Sequence, residues 1–203
     1  DLDPQRVAKA LALGMDAGAS TTGEYQLLVR DRTGGRGADR VLITAAAKSD
    51  AVINLAMDVA RAKGRVVIVG DVGLNVKRDV FYRKEIDLLM STSYGPGRYD
   101  RGYEEEGRDY PFAHVRWTLN RNMQAYLDLI AAGRIDIATL IERIIPVAEA
   151  SAAYRELADS DAAAMPLGVL LQYPDETRQL PDAPDATRIH IRGHRKPAGG
   201  TIR

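Results

Sequence analysis

Continuous apolar runs alternate with segments of helical periodicity along most of the chain. Residues 40–44 and 65–70 are almost wholly apolar after their first arginine, a composition typical of strands that are buried on both faces. Between them, Ser49-Asp50 can cap a helix that we expect to reach Ala62, with Gly64 as its stop. Strands alternating with capped helices predict an α/β fold with a parallel sheet that is covered on both faces.

The chain opens on a helix signal. Asp3 suits an N-cap and Pro4 suits the first turn, and apolar side chains then recur at helical spacing until Gly14. The remaining elements follow from the same patterns. We expect helices over residues 23–32, 80–84, 115–132 and 149–157, and extended segments over 87–94, 140–146 and 167–173.

Residues 95–113 interrupt this regularity with several glycines, prolines and tyrosines, and we name them the tyrosine segment. Together with Tyr94, its three tyrosines suit either a contact with a second subunit or a lid over substrate, and we expect the contact first. Trp117 and Tyr126 are expected to anchor the core.

Composition narrows the function classes. The 203 residues carry 28 acidic and 28 basic side chains, so no excess of positive charge favours nucleic acid or an anionic membrane as a partner. The chain has no cysteine, which excludes disulfides and thiolate metal sites and suits a cytoplasmic protein. No apolar run has the length of a membrane span.

The length suits one domain with a tail. We expect a domain over residues 1–173 and a proline-rich linker with a basic end over 174–203. The basic end suits the flank of a linker better than a nucleic-acid contact, because the charge of the whole chain is balanced.

Four segments together carry a family resemblance: residues 1–6, 34–44, 64–73 and 92–95. They resemble the cofactor domain of the medium-chain, zinc-type alcohol dehydrogenases. The resemblance implies a Rossmann-like, doubly wound parallel sheet. In that fold the first strand leads into G-x-G-x-x-G. Neither precedes Asp1, and neither Gly35-x-Gly37 nor Gly95-x-Gly97 completes the loop, so the domain is expected to be incomplete, with first strand and glycine-rich loop absent from the chain.

Residues 93–100, 109–111 and 115–123 are similar to a narrower group, the two-part bacterial dehydrogenases. In those enzymes a medium-chain half continues into a domain of the glucose-fructose oxidoreductase (Gfo/Idh/MocA) type. The tail after Pro174 would then be the connector.

The resemblance assigns roles to eight residues by position. Asp1 would accept the adenosine ribose hydroxyls, with Arg6 beside that ribose, and a carboxylate there favours NAD over NADP because it repels a 2′-phosphate. The other six would contribute mainly backbone and shape. Ala46 would line the adenine side, Val69, Gly70 and Asp71 would support the nicotinamide end, and Thr92 and Tyr94 would contact the carboxamide. Asp1 could instead be a solvated acid next to a helix cap.

The resemblance also implies what this chain lacks. In the family the zinc ligands and the proton relay belong to a preceding domain, and Leu167 and Gly168 occupy the place of a basic residue that meets the pyrophosphate. His114, His190 and His194 do not have the spacing of a metal-ligand set. We therefore expect no dehydrogenase activity from the isolated chain.

Two functions remain open. The first is the NAD-binding part of an oxidoreductase that passes a hydride between NAD and an alcohol, polyol or sugar-like substrate. The second is a non-catalytic oligomerisation or interaction module built on a degenerate Rossmann domain. In either case residues 90–94, at a sheet edge, are expected to join two copies of the chain.

Overall fold

The computed structural model describes residues 1–160 and 165–174. The chain divides into two compact units, Asp1–Asp136 and Ile137–Arg203. From residue 175 onward, the predicted linker and basic tail lie outside the described residues. The elements of the first unit are α1 Pro4–Ala12, α2 Thr22–Arg32, β1 Ala38–Ile43, α3 Ala51–Val59, β2 Ala60–Ile68, α4 Arg78–Lys84, β3 Asp87–Met90, α5 Arg101–Glu104 and α6 Leu119–Ala131.

A parallel sheet in the order β1-β2-β3 forms the centre of the first unit. Its inward side chains include Val41 and Val66, which pair across the first two strands and pack with Ile53 of α3 in the core. On the opposite face Leu42 is 65% exposed and Leu89 is 45% exposed. The predicted α/β fold with a parallel sheet is confirmed, and within the described residues α3 and α4 pack on the face of the sheet that carries Val41 and Val66.

The first helix begins at the predicted residue, and the second begins within one residue of the prediction. The Asp3 carboxylate accepts the Gln5 N–H at 2.8 Å, which satisfies one of the free donors at the start of α1. At the start of α2, the Thr21 hydroxyl oxygen accepts the Glu24 N–H in the same way. The expected start of the second helix at residue 23 is one residue late.

The junction of α3 and β2 differs from the expectation. The helix ends at Val59 rather than Ala62, and the strand starts at Ala60. The Lys84 ammonium donates to the carbonyls of Met57, Asp58 and Ala60, which ends the helix early. The pairing of β1 with β2 shifts just after Ala60, so residues 61–64 bulge out of the ladder.

The tyrosine segment is ordered and contains α5. Tyr103 is buried and stacks on Tyr110 with ring centroids 5.7 Å apart. The Tyr103 hydroxyl accepts the Asn120 N–H at 3.1 Å, and the Pro96 carbonyl accepts the Leu119 N–H at 2.8 Å. These acceptors satisfy donors of the first turn of α6, so the helix begins at Leu119 and not at residue 115.

Two further expectations in this region are wrong. Trp117 precedes α6 and is 50% exposed, and Tyr126 is 48% exposed, so neither is a core anchor. The third strand ends at Met90 rather than at Tyr94, because β2 ends at Ile68 and offers no further ladder partner.

The second unit contains a parallel pair of strands, β4 Arg143–Pro146 and β5 Val169–Gln172, with α7 Ala150–Asp159 between them. Two 3-10 turns, Ala138–Leu140 and Val147–Glu149, flank β4, so the extended segment is shorter than expected. Arg143 of β4 holds Glu156 of α7 through two hydrogen bonds of 2.7 and 3.0 Å. Within residues 1–160 and 165–174, no helix is long and apolar enough to cross a membrane.

Candidate functional site

The carboxyl ends of β1, β2 and β3 lie at one edge of the sheet, because all three strands run parallel. In open α/β sheets, ligands bind outside this edge. Five residues with predicted site roles lie one to three residues after these strand ends, and we name them the strand-end group: Ala46, Val69, Gly70, Asp71 and Thr92.

Gly70 brings the second strand end against the first. The N–H groups of Val69 and Gly70 both donate to the Ile43 carbonyl at 2.9 Å. A Cβ at position 70 would overlap the carbonyl oxygen of Ala45 and would lie 2.8 Å from its carbonyl carbon. Only glycine therefore permits this approach of two backbones, which supports the small size that the sequence predicts at this turn.

Asp71 continues the link between the two strand ends. Its carbonyl accepts the Ala47 N–H at 2.8 Å, and Ala47 forms a parallel bridge with Val72. The side chains of Ala46 and Asp71 are exposed, as is that of Val69 at 52%. The structure thus brings four of the eight predicted residues together on an accessible surface.

Thr92 and Tyr94 follow the end of β3. The Ser91 N–H donates to the Ile68 carbonyl at 2.8 Å, which carries the chain one residue past the strand and places Thr92 beside the end of β2. The Tyr94 carbonyl accepts from the Asn122 amide at 3.0 Å, while its side chain is 64% exposed. Tyr94 is therefore anchored to α6 through its backbone and presents its ring to solvent.

Asp1 and Arg6 lie at the start of α1. One Asp1 carboxylate oxygen accepts the Asp3 N–H at 2.9 Å, and the Arg6 guanidinium lies 3.8 Å from the Asp3 carboxylate. Neither of these links joins Asp1 or Arg6 to the strand-end group. Asp1 is exposed, so its second carboxylate oxygen is accessible to a ligand.

Two polar residues at α3 that sequence reasoning did not assign to the site hold the turn after β2. The Asp50 carboxylate accepts the Asn75 N–H at 3.0 Å, and the Asn54 side chain accepts the Lys77 N–H at 2.9 Å. The signal for Asn54 is its position in the sequence: it is the one amide in the apolar helix AVINLAMDV.

The perturbed titrations of the first unit include a pair in the tyrosine segment. A hydrogen bond from the Tyr110 hydroxyl lowers the pKa of the Asp100 carboxyl, and the same bond raises the pKa of Tyr110. Burial lowers the pKa of the Lys84 ammonium at the end of α3. Neither Asp100 nor Tyr110 belongs to the strand-end group, so this pair serves the fold of the tyrosine segment.

Residues 1–160 and 165–174 do not fit a catalytic zinc ion. Within the described ranges, no three or more His, Cys, Asp or Glu side chains are grouped so that they could hold a metal, and the chain has no cysteine. Zinc sites of this kind need three protein ligands.

Comparison with solved structures supports a Rossmann-like α/β fold. An alcohol dehydrogenase from Thermus sp. ATN1 is 24% identical with a TM-score of 0.59 over 84% of this chain and 42% of its own. Galactitol-1-phosphate dehydrogenase from Escherichia coli is 19% identical, with a TM-score of 0.57 over 84% of this chain and 44% of its own. 2R,3R-butanediol dehydrogenase from Bacillus subtilis is 19% identical, with a TM-score of 0.56 over 80% of this chain and 40% of its own. The chain thus spans less than half the length of these structures.

No curated protein matches the chain. The sequence profile of the family described as zinc-binding dehydrogenase matches residues 1–105, which is just over half of the 203 residues and includes the three parallel strands and all eight predicted site residues. The chain therefore belongs to the zinc-binding dehydrogenase family.

Proposed function

We propose that the strand-end group binds NAD, with residues 69–71 and Thr92 at its nicotinamide end and Ala46 on its adenine side, within an oxidoreductase that acts on an alcohol, polyol or sugar-like substrate. The observation that carries this proposal is the close approach of Gly70 to Ala45 at the carboxyl edge of the sheet. Because position 70 has no side chain, two backbones can meet there, and residues 45–47 and 69–71 lie together at the edge of the sheet where ligands bind in open α/β folds. Bound NAD would supply the hydride acceptor, and the protein would supply binding and orientation.

We assign each of the eight predicted residues to one part of the dinucleotide. Residues 69–71 would support the nicotinamide ring, and Thr92 and Tyr94 would contact its carboxamide. Ala46 would line the adenine side. The Asp1 carboxylate would accept both ribose hydroxyls with Arg6 beside it, and its charge would repel the 2′-phosphate of NADP.

A titration of the 203-residue chain, monitored by 15N–1H NMR, tests the proposal. Nicotinamide mononucleotide is expected to shift the amides of Val69, Gly70, Asp71 and Thr92, whereas adenosine monophosphate is expected to shift amides near Asp1. Unchanged spectra with about 10 mM NAD would contradict the proposal, since that concentration saturates a site with a dissociation constant of about 1 mM, or about 4 kcal/mol.

A second function is favoured by the surface at β3. Among the described residues this strand pairs only with β2, and the nearby side chains of Met90 and Tyr94 are 58% and 64% exposed. An open strand edge beside exposed apolar side chains suits association with a second copy of the chain. We therefore propose a homo-oligomer joined near residues 90–94, either within the oxidoreductase or as a non-catalytic interaction module. The lid role of the tyrosine segment remains the alternative.

The proposal includes a cytoplasmic location, supported by the absence of cysteine from the 203 residues. We further propose that the chain is most similar to the two-part bacterial dehydrogenases, because residues 93–100 and their neighbours resemble that group. A zinc ion in the intact enzyme would require ligands other than the residues described.

A further inference from the structure

The turn between β2 and α4 begins with three predicted nicotinamide-side residues and runs from Val69 to Lys77. We name it the β2–α4 turn. Its first part is fixed by the backbone bonds to Ile43 and Ala47. Its last part is fixed by side chains at α3, the helix that precedes β2 in the chain.

Asn54 makes the central contact with this turn. It is 9% exposed, and its side-chain nitrogen donates to the carbonyls of Asp50 at 2.8 Å and Asn75 at 3.0 Å. Its side-chain oxygen accepts the Lys77 N–H at 2.9 Å. Both N–H groups and one oxygen lone pair of the amide are therefore used, and this arrangement defines which atom is nitrogen.

Asp50 makes a second contact with the same turn. Its carboxylate accepts the Asn75 N–H at 3.0 Å. A Cβ at Gly73 would overlap this carboxylate and would lie 3.0 Å from the Asp50 nitrogen, so glycine permits the close packing of turn and helix. Val72, next to Gly73 in this turn, is 8% exposed and belongs to the core.

A buried amide is a costly way to fill a core position, since any unmade hydrogen bond leaves a desolvated polar group. The Asn54 side chain avoids this cost because it makes three hydrogen bonds, two of which go to the β2–α4 turn. Such a network selects one backbone conformation, because another path of the turn would leave the amide and the Asp50 carboxylate without partners.

We propose that Asn54 and Asp50 are positioning residues for the dinucleotide. They hold the far end of the β2–α4 turn on α3 and thereby fix where its near end, residues 69–71, meets the nicotinamide. This inference rests on the proposed function, because it requires that residues 69–71 contact NAD.

The test compares wild type with Asp50→Ala and Asp50→Asn. Both variants remove the same negative charge from the start of α3, but only the asparagine variant retains a side-chain oxygen that can accept from Asn75. Asp50→Ala is expected to weaken the binding of nicotinamide mononucleotide about tenfold, a loss typical when a group that orients a binding residue is removed. Asp50→Asn is expected to bind within about twofold of wild type.

Asn54→Leu and Lys84→Met provide a second comparison at the same helix. Leucine fills the volume of Asn54 without its hydrogen bonds, so faster amide hydrogen exchange at Lys77 and Asn75 and weaker binding of nicotinamide mononucleotide are expected. Lys84 contacts the opposite end of α3. Its replacement is expected to lower stability without changing exchange in the turn or the affinity for the mononucleotide.

The possible outcomes separate the two proposals. Equal affinity in wild type, Asp50→Ala and Asn54→Leu would overturn the positioning role and leave the proposed function intact. An equal loss of affinity for the mononucleotide in Lys84→Met would also overturn the positioning role, because the weaker binding would then reflect a general loss of stability. If wild type itself shows no response to the mononucleotide, the proposed function and the positioning role both fail.

Discussion

Gly70 and Ala45 lie so close that any side chain at position 70 would collide with the backbone at the end of β1. Both residues belong to the carboxyl edge of the sheet, where two strand ends are joined through the shared Ile43 carbonyl. A Gly70→Ala variant is therefore expected to lose about 1–3 kcal/mol of unfolding free energy, a typical cost of overpacking, measured by urea denaturation.

Gly23→Ala is the matched control for this substitution. Gly23 lies in the first turn of α2, and a Cβ there would meet no atom within 4 Å. Alanine is the better helix former, so this variant is expected to gain up to about 1 kcal/mol. Equal effects of the two substitutions would contradict the close approach at Gly70.

Lys84 and the end of α3 give a second prediction. The ammonium donates to three carbonyls at the end of that helix, at 2.7 to 3.0 Å. Lys84→Met is expected to destabilise the chain by about 1–3 kcal/mol, the usual cost of leaving such groups unsatisfied. Lys48→Met, on an exposed lysine before α3, is expected to change the unfolding free energy by less than about 0.5 kcal/mol.

The bond between Tyr110 and Asp100 gives a pH dependence at both ends of the scale. Because the pKa of Asp100 is lowered from 3.8, its contribution to stability is present above pH 3.8 and is lost as pH falls through the lowered value. Because the pKa of Tyr110 is raised from 10.0, its contribution is present below pH 10.0 and is lost as pH rises through the raised value.

Tyr110→Phe removes the contribution of the tyrosine and the largest cause of the lowered pKa of Asp100. The unfolding free energy of this variant is expected to fall less steeply than that of wild type below pH 3.8 and above pH 10.0. Tyr154→Phe, on an exposed tyrosine of α7, is expected to leave the pH dependence of the unfolding free energy unchanged in both pH ranges. Parallel pH profiles for wild type and Tyr110→Phe would show that the bond does not form in solution.

The proposed contact between copies gives a prediction for sedimentation. Wild type is expected to associate at micromolar concentration, and Met90→Lys is expected to shift it toward monomer because a charge at the strand edge opposes pairing. Met15→Lys, on a side chain that is 61% exposed after α1, serves as control and is expected to associate like wild type. A wild-type chain that stays monomeric would contradict the proposed homo-oligomer.

Asp1 gives a prediction for cofactor choice. Asp1→Asn removes the charge that would repel a 2′-phosphate, so the preference for NAD over NADP is expected to shrink in binding measurements on the chain. Asp16→Asn, on an exposed acid beyond α1, is expected to keep the wild-type preference. If Asp1→Asn and wild type discriminate equally, Asp1 is a solvated acid rather than a ribose ligand.

Local sequence signals predicted which helices and strands form better than they predicted where each one ends. Asp3 and Pro4 start α1 where the sequence indicates, because a cap acts on its own turn. Val59 ends α3 earlier than Gly64 predicts, because Lys84, distant in sequence, binds the helix carbonyls. The start of α6 is likewise decided by Pro96 and Tyr103, which bind its first N–H groups from another segment.

The candidate site shows the same division. By itself the sequence determined the parallel α/β strands, the family resemblance and the glycine at position 70, since apolar runs and small residues constrain the backbone locally. Only the tertiary structure decided that Gly70 meets Ala45 and that Asn54 holds the turn through Asn75, 21 residues away. Hydrogen bonds between distant segments depend on how the helix packs on the sheet, and no pattern in either segment alone encodes that packing.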